Sequence, residues 1–413
     1  MKIALLTSEF VTEKGFDGGL ANYTYKIAKT LIKLDHYPIV IVSSNRNESF
    51  YYEDIRVERV CTWINNDWNP TNKFWNKLDR FLKYKYHMSF NLIWQSFKLN
   101  QRLRHINLIE KIDIVQYAHL GGIGLFKPFS LPAVARISSS TKLCQEAGGY
   151  GEADSQIRQQ EFFEYLSLKR MSGIFGPSEK IAKYISNEIN KKIEIIESPF
   201  FNGVTEYNSE IYNEYLKNKK YILFFGTLSR IKGVHIIAEI IYSFLSKYEN
   251  FNFVFVGKQS FFNNDKTILE FVYEKSLECK ERVIYLNSLK HEYLYPIIEN
   301  AQFVILPSII DNFPNTCIEA MAHRKIVIGT YGNGFDQLIN NNQSGFLIPK
   351  GDPVELLNVI EKVMSLDAEK RKAIEENAFK RIEMLKPEII GQNMIDYYQS
   401  FIKKRNVRNY RVN

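Results

Sequence analysis

The sequence predicts an α/β protein made of two doubly wound, Rossmann-like units. Three observations predict it. The chain has 413 residues, and single hydrophobic cores stop growing near ~250 to 300 residues, so two cores are expected. Short β-branched and apolar runs alternate with longer helical patterns from end to end, the pattern of parallel strands covered by helices on both faces. The alternation breaks once, in the polar stretch Thr205 to Lys220.

Taken in order, the first series of strands is expected at Lys2 to Thr7, Pro38 to Ser43, Ile55 to Val60, Asp113 to Tyr117, Ala133 to Ile137, Gly173 to Phe175 and Ile193 to Ile196. The second series is expected at Tyr221 to Phe225, Phe251 to Val256, Val283 to Leu286, Phe303 to Leu306, Ile326 to Ile328 and Gly345 to Ile348. This gives domains at 1–200 and 218–385, with a terminal helix and basic tail at 386–413. In doubly wound sheets ligands sit beyond the carboxyl ends of the strands, which is where functional residues are sought. One segment stands outside the alternation. Trp63 to Arg104 holds all four tryptophans and a heavy load of Lys and Arg. It reads either as an insertion whose lysine stems cover apolar surface or as an amphipathic lip toward a membrane or a lipid-linked acceptor.

Composition narrows the class. No apolar run reaches the ~18 residues of a membrane span, and the first residues lack a signal-peptide pattern, so a cytoplasmic protein is expected, with peripheral attachment to the inner membrane face as an option. Cys61, Cys144, Cys279 and Cys317 have no metal-ligand spacing, and no D-x-D motif occurs, so neither metal nor cofactor is expected. A formal charge of +8 attracts something anionic: a phosphorylated substrate, an anionic lipid surface or nucleic acid.

The richest stretch runs from Phe303 to Ala322. A strand ends near Leu306, a loop carries Asp311, and a helix begins near Asn315 with Glu319 in its first turns. Unsatisfied N–H groups and the positive dipole end at such a helix start cradle a diphosphate. Two carboxylates flanking that cradle suit hydroxyl groups on either side of the phosphates. A nucleotide sugar has hydroxyls there, on the hexose and on the ribose. The stretch resembles the acidic E-x7-E signature of the retaining group 1 glycosyltransferases, glycosyltransferase family 4, with Asp311 at the first acid and Glu319 at the second. The resemblance implies the GT-B fold, two Rossmann-like domains facing a cleft, with the C-terminal helix crossing back to the N-terminal domain. It assigns Asp311 to the donor sugar, Glu319 to the ribose, and Asn312, Phe313, Pro314, Asn315 and Thr316 to phosphate and sugar contacts.

A second match is Phe225-Gly226-Thr227-Leu228-Ser229-Arg230-Ile231-Lys232-Gly233, similar to the Gly-Arg-Leu-x-x-x-Lys-Gly of that family. Lys232 takes the place of the lysine that clamps the donor diphosphate. Thr227 stands at the arginine position, and Arg230 is the candidate to replace the missing charge. Gly257, at a strand end, is expected to border the nucleotide. At the front of the chain Gly18-Gly19 opens a helix and resembles the family Gly-Gly loop. His119, past a strand end, resembles the histidine near the transferred sugar. Arg136 and Ser139 close the next strand on the expected acceptor side.

The resulting expectation is a retaining, metal-independent glycosyltransferase of bacterial surface-polysaccharide type. It takes a UDP- or GDP-sugar and a glycan or lipid-linked acceptor, with His119, Asp311 and Lys232 in catalytic positions. Nucleic acid is not an expected partner. The alternatives are a non-hydrolysing nucleotide-sugar epimerase and a non-catalytic binder of phospholigands or nucleic acid.

Overall fold

The computed structural model describes residues 1–13, 18–62, 77, 86–148, 155–201, 206–263 and 265–410. Most of the aromatic and basic segment, including Trp63, Trp68 and Trp75, lies outside them, as does the start of the first glycine loop at 14–17.

The chain divides into two compact units. The N-terminal unit spans 1–146, 151–199 and 386–413, so the terminal helix Pro387–Tyr410 belongs to it. Its sheet has the order β3-β4-β2-β1-β5-β6-β7-β8, with β1 Lys2–Thr7, β2 Tyr37–Ser44, β3 Glu48–Tyr52, β4 Ile55–Cys61, β5 Ile114–Ala118, β6 Ala133–Arg136, β7 Gly173–Gly176 and β8 Glu194–Ile195. All neighbours pair in parallel except β3 and β4. Ile39, Val40, Ile41 and Val42 in β2 are all buried, because helices cover both faces of a parallel sheet and every strand residue meets a side-chain layer.

The C-terminal unit spans 147–150 and 200–385. Its parallel sheet has the order β11-β10-β9-β12-β13-β14, with β9 Lys220–Phe225, β10 Phe251–Val256, β11 Val283–Leu286, β12 Phe303–Ile305, β13 Val327–Thr330 and β14 Phe346–Ile348. Order reverses between β9 and β12, which pair directly. The carboxyl ends of β9 and β12 are therefore the switch point of the sheet, the usual ligand position in this topology.

One strand escaped the sequence reading. The β3 strand, Glu-Ser-Phe-Tyr-Tyr, pairs antiparallel at the sheet edge, and its turn uses Glu53 and Asp54 at φ 45° and 68°. It has no apolar run and no turn glycine, because an edge strand is half solvated and is held partly by ion pairs, here Arg59 to Glu48.

Candidate functional site

At the C-terminal switch point two loops lock together. After β9 the chain turns at Gly226, and Lys232 precedes Gly233, which sits at φ 74°. A Cβ on Gly233 would lie 1.9 Å from the Pro307 carbonyl oxygen. Only glycine lets this loop press against the end of β12. Gly257, at φ 142°, is required for a similar reason: its Cβ would lie 1.9 Å from the Gly226 carbonyl oxygen.

The second loop, Leu306 to Pro314, is braced from behind. The Ser308 carbonyl accepts from Thr330 Oγ1 at 2.6 Å and from Asn333 Nδ2 at 3.1 Å. Gly334 N donates to the Asp311 carbonyl at 2.9 Å. These contacts place Asp311 Oδ2 2.6 Å from Lys232 Nζ, with Ser308 Oγ at 3.4 Å and Asn312 N donating to Oδ1 at 3.1 Å. The lysine side chain keeps 34% of its surface exposed. The pair is formed between two loops that are 79 residues apart.

The helix Asn315–Ala322 starts at once. Pro314 is its N-cap, no side chain caps it, and its first turn holds no acid. Its leading N–H groups are therefore available, with the dipole favouring an anion there. Thr316 Cγ2 lies 3.3 Å from where a Gly226 Cβ would stand, so the glycine turn rests against this helix start. Phe313 and Cys317 are buried beneath, and the thiol is pushed up by burial and then by the Asp311 charge. Asn312 Oδ1 is buried with no hydrogen-bond partner.

Glu319, one turn into the helix, is buried to 8% exposure. His291 Nε2 lies 3.5 Å from its Oε1. The Tyr295 ring packs against both His291 and His323, and its hydroxyl is pushed above its ordinary range by burial and then by the Glu319 charge. His291 and Tyr295 were not singled out in sequence. They sit on another helix, His291–Asn300, and only tertiary packing brings them to Glu319. Arg230 stacks its guanidinium on Phe262, 4.9 Å from the ring centroid. Thr227 is exposed.

The N-terminal candidates gather at the carboxyl edge of their own sheet. Gly18 caps the helix Gly19–Lys33 at φ −73°, and nothing lies within 4 Å of a Cβ built on Gly19. Neither backbone strain nor crowding among the described residues requires glycine there. His119 is 1% exposed. Its Nδ1 accepts from Ser138 N at 3.1 Å and its Nε2 lies 2.9 Å from the Ser139 carbonyl. A carbonyl only accepts, so the proton sits on Nε2. Burial pushes the imidazole down to about 4. Both ring nitrogens are engaged by main chain, so the ring positions the 138–139 loop.

Arg136 ends β6 at 6% exposure. It donates to Ser138 Oγ at 2.8 Å and Ser198 Oγ at 3.1 Å, with its Cζ 3.6 Å from the Tyr23 ring centroid. Among the described residues, no group of His, Cys, Asp and Glu could hold a metal ion, and no helix is long and apolar enough to cross a membrane.

Residues 209–381 match the family model for glycosyl transferases group 1. An uncharacterised glycosyltransferase of Methanocaldococcus jannaschii is 28% identical over 229 residues, 54% of this chain and 58% of that protein. The capsular polysaccharide biosynthesis glycosyltransferase CapM of Staphylococcus aureus is 26% identical over 196 residues, 47% of this chain and 50% of that protein. These matches span only about half the length of either relative. The Anabaena protein HepE, solved in complex with UDP-glucose, superimposes at a TM-score of 0.68 with 18% identity, covering 97% of this chain and 100% of that one. The fold is that of the GT-B glycosyltransferases.

Proposed function

We propose that this GT-B chain is a glycosyltransferase that moves a sugar from a nucleotide donor held by the C-terminal unit to a glycan or lipid-linked acceptor held by the N-terminal unit, with retention at the anomeric carbon. One observation carries the reading. Lys232 and Asp311 meet at 2.6 Å beside the uncapped start of the helix that bears Glu319. That set offers a cation and free N–H groups to a diphosphate, and two carboxylates to hydroxyls around it. A site for phosphate alone would not place acids so near. HepE, crystallised with UDP-glucose, supports a nucleotide-sugar ligand, and CapM supports a place in surface-polysaccharide assembly.

In the reaction, the acceptor hydroxyl oxygen attacks the anomeric carbon from the face the diphosphate leaves. The donor C–O bond breaks with its electron pair going to the diphosphate, whose oxygen takes the hydroxyl proton. Lys232 and the helix start stabilise the charge that grows on the diphosphate. Asp311 orients Lys232 and reaches for the sugar, while Glu319 holds the ribose. The anionic membrane surface is assigned to the basic segment at 63–104.

A thermal-shift screen across UDP-, GDP-, ADP- and CMP-sugars tests the donor, because bound ligand stabilises the fold by mass action. A shift with one nucleotide, followed by transfer to an acceptor with the anomeric configuration kept by NMR, is the expected result. Donor turnover with no acceptor would instead identify an epimerase, and an inverted product would end the retaining reading.

A further inference from the structure

We infer that Arg136, with the hydroxyls of Ser138 and Ser198, forms a receiving site for an anionic group on the acceptor, a phosphate ester or a carboxylate. The inference rests on the N-terminal unit being the acceptor's place.

The starting point is a buried charge without a counter-charge. A guanidinium stays protonated in proteins, and an unpaired charge is among the most costly groups to bury. The well-covered Arg59 of the same sheet meets Glu13 and Glu48, and Arg56 and Arg102 close on the buried Glu58. Arg136 is more deeply buried than these, yet among the described residues no carboxylate lies within ion-pair reach of it. Its partners are two hydroxyls and the face of Tyr23, and its Nε is buried with no partner. Burial accordingly pulls its pKa down.

The hydroxyls show where a counter-charge would come from. Ser138 and Ser198 each accept from the guanidinium, which leaves each O–H free to donate. Neither donates to any described residue. Both are only half-buried, so they stand between the guanidinium and solvent. They follow β6 and β8, at the carboxyl edge where doubly wound sheets meet ligands. An anionic oxygen arriving there finds two O–H donors backed by a fixed positive charge. The Ser138 end is held by the Ser138 N–H bond to His119, whose neutral ring brings no charge of its own. The sequence shows none of this, because Tyr23, Arg136 and Ser198 come from separate elements.

The test titrates the full-length protein with glucose 6-phosphate, glucuronate and glucose by calorimetry, with and without a saturating nucleotide, UDP, GDP, ADP or CMP as the thermal-shift screen selects. The nucleotide arm fills the donor diphosphate site, so any remaining response belongs to the N-terminal unit. We expect one of the two anionic sugars to bind at least about tenfold more tightly than glucose, the usual scale of a charge-assisted contact. The phosphate or the carboxylate arm identifies the group. Arg136→Met and the pair Ser138→Ala with Ser198→Ala should each abolish that preference while keeping nucleotide binding, which reports an intact fold. If Arg136→Met does not fold, Arg136→Lys and the serine pair decide. Equal binding of charged and neutral sugars, no binding of either anion, or a preference that survives the variants overturns the proposal. Failure of every nucleotide to bind would count against the donor reading and leave the anion result standing.

Discussion

The two carboxyl edges handle charge in opposite ways. At the C-terminal edge a cation and an anion are paired with each other and stay reachable: Lys232 keeps 34% of its side chain exposed while touching Asp311. At the N-terminal edge the imidazole of His119 is neutral and Arg136 is closed over by hydroxyls and a ring. A half-exposed ion pair keeps its lysine within reach of an arriving anion while the carboxylate still orients it. A buried guanidinium cannot be displaced and instead fixes the direction from which an anion is welcome. The first edge suits recognition of a mobile leaving group, the second the selection of a partner.

The largest effects should come from breaking the exposed pair. Lys232→Ala should lower kcat/KM about 10²-fold or more, the usual scale for removing a transition-state electrostatic contact. Initial transfer rates measure it, and near-normal turnover would remove Lys232 from the mechanism. Glu319→Ala should cost a comparable factor but act on binding as well, raising the donor KM, because the ribose contact proposed for it would form before reaction. A KM that stays put while kcat falls would assign Glu319 to chemistry instead.

Unequal legibility follows from the same contrast. The parallel strands of both sheets were readable because such strands are apolar on both faces, as in Phe251 to Val256, where prediction and structure coincide. The stretch from Asp311 to Glu319 was readable because loop, helix start and both acids are local in sequence. The Lys232–Asp311 contact spans 79 residues, and its members were each named while their direct pairing was not. His291, Ser198 and Tyr23 carried no local signal at all. A serine hydroxyl or a lone imidazole gains meaning only from what folding sets beside it. His119 divides in the same way: its place after a strand is local in sequence, while the engagement of both ring nitrogens by the 138–139 backbone is not.

That buried ring gives a prediction of intermediate size. His119 is held neutral in the fold with a value of about 4, against about 6.5 in an unfolded chain. Between those values the unfolded state binds more protons, so stability is full above roughly pH 6.5 and falls as the pH drops toward about 4. Urea denaturation from pH 7 to 4 should show this slope, and His119→Asn should flatten it. The same variant should cost about 1 to 3 kcal/mol at pH 7, from lost bonds to the 138–139 backbone. An unchanged slope would mean that the ring is not buried as described.

The smallest stability effect should be the most discriminating for the glycine loops. Gly233→Ala forces a Cβ into the Pro307 carbonyl and should lower the melting temperature clearly. Gly19→Ala meets nothing within 4 Å among the described residues and lies in a helix, where alanine is favoured over glycine by roughly 0.5 to 1 kcal/mol. It should leave the melting temperature unchanged or raise it slightly. If transfer nevertheless falls, the glycine is needed for a molecule outside the chain and not for the fold. If Gly19→Ala is as active as the parent, the close approach of a ligand to this helix start is ruled out, and the work of the N-terminal edge passes to the Arg136 cluster.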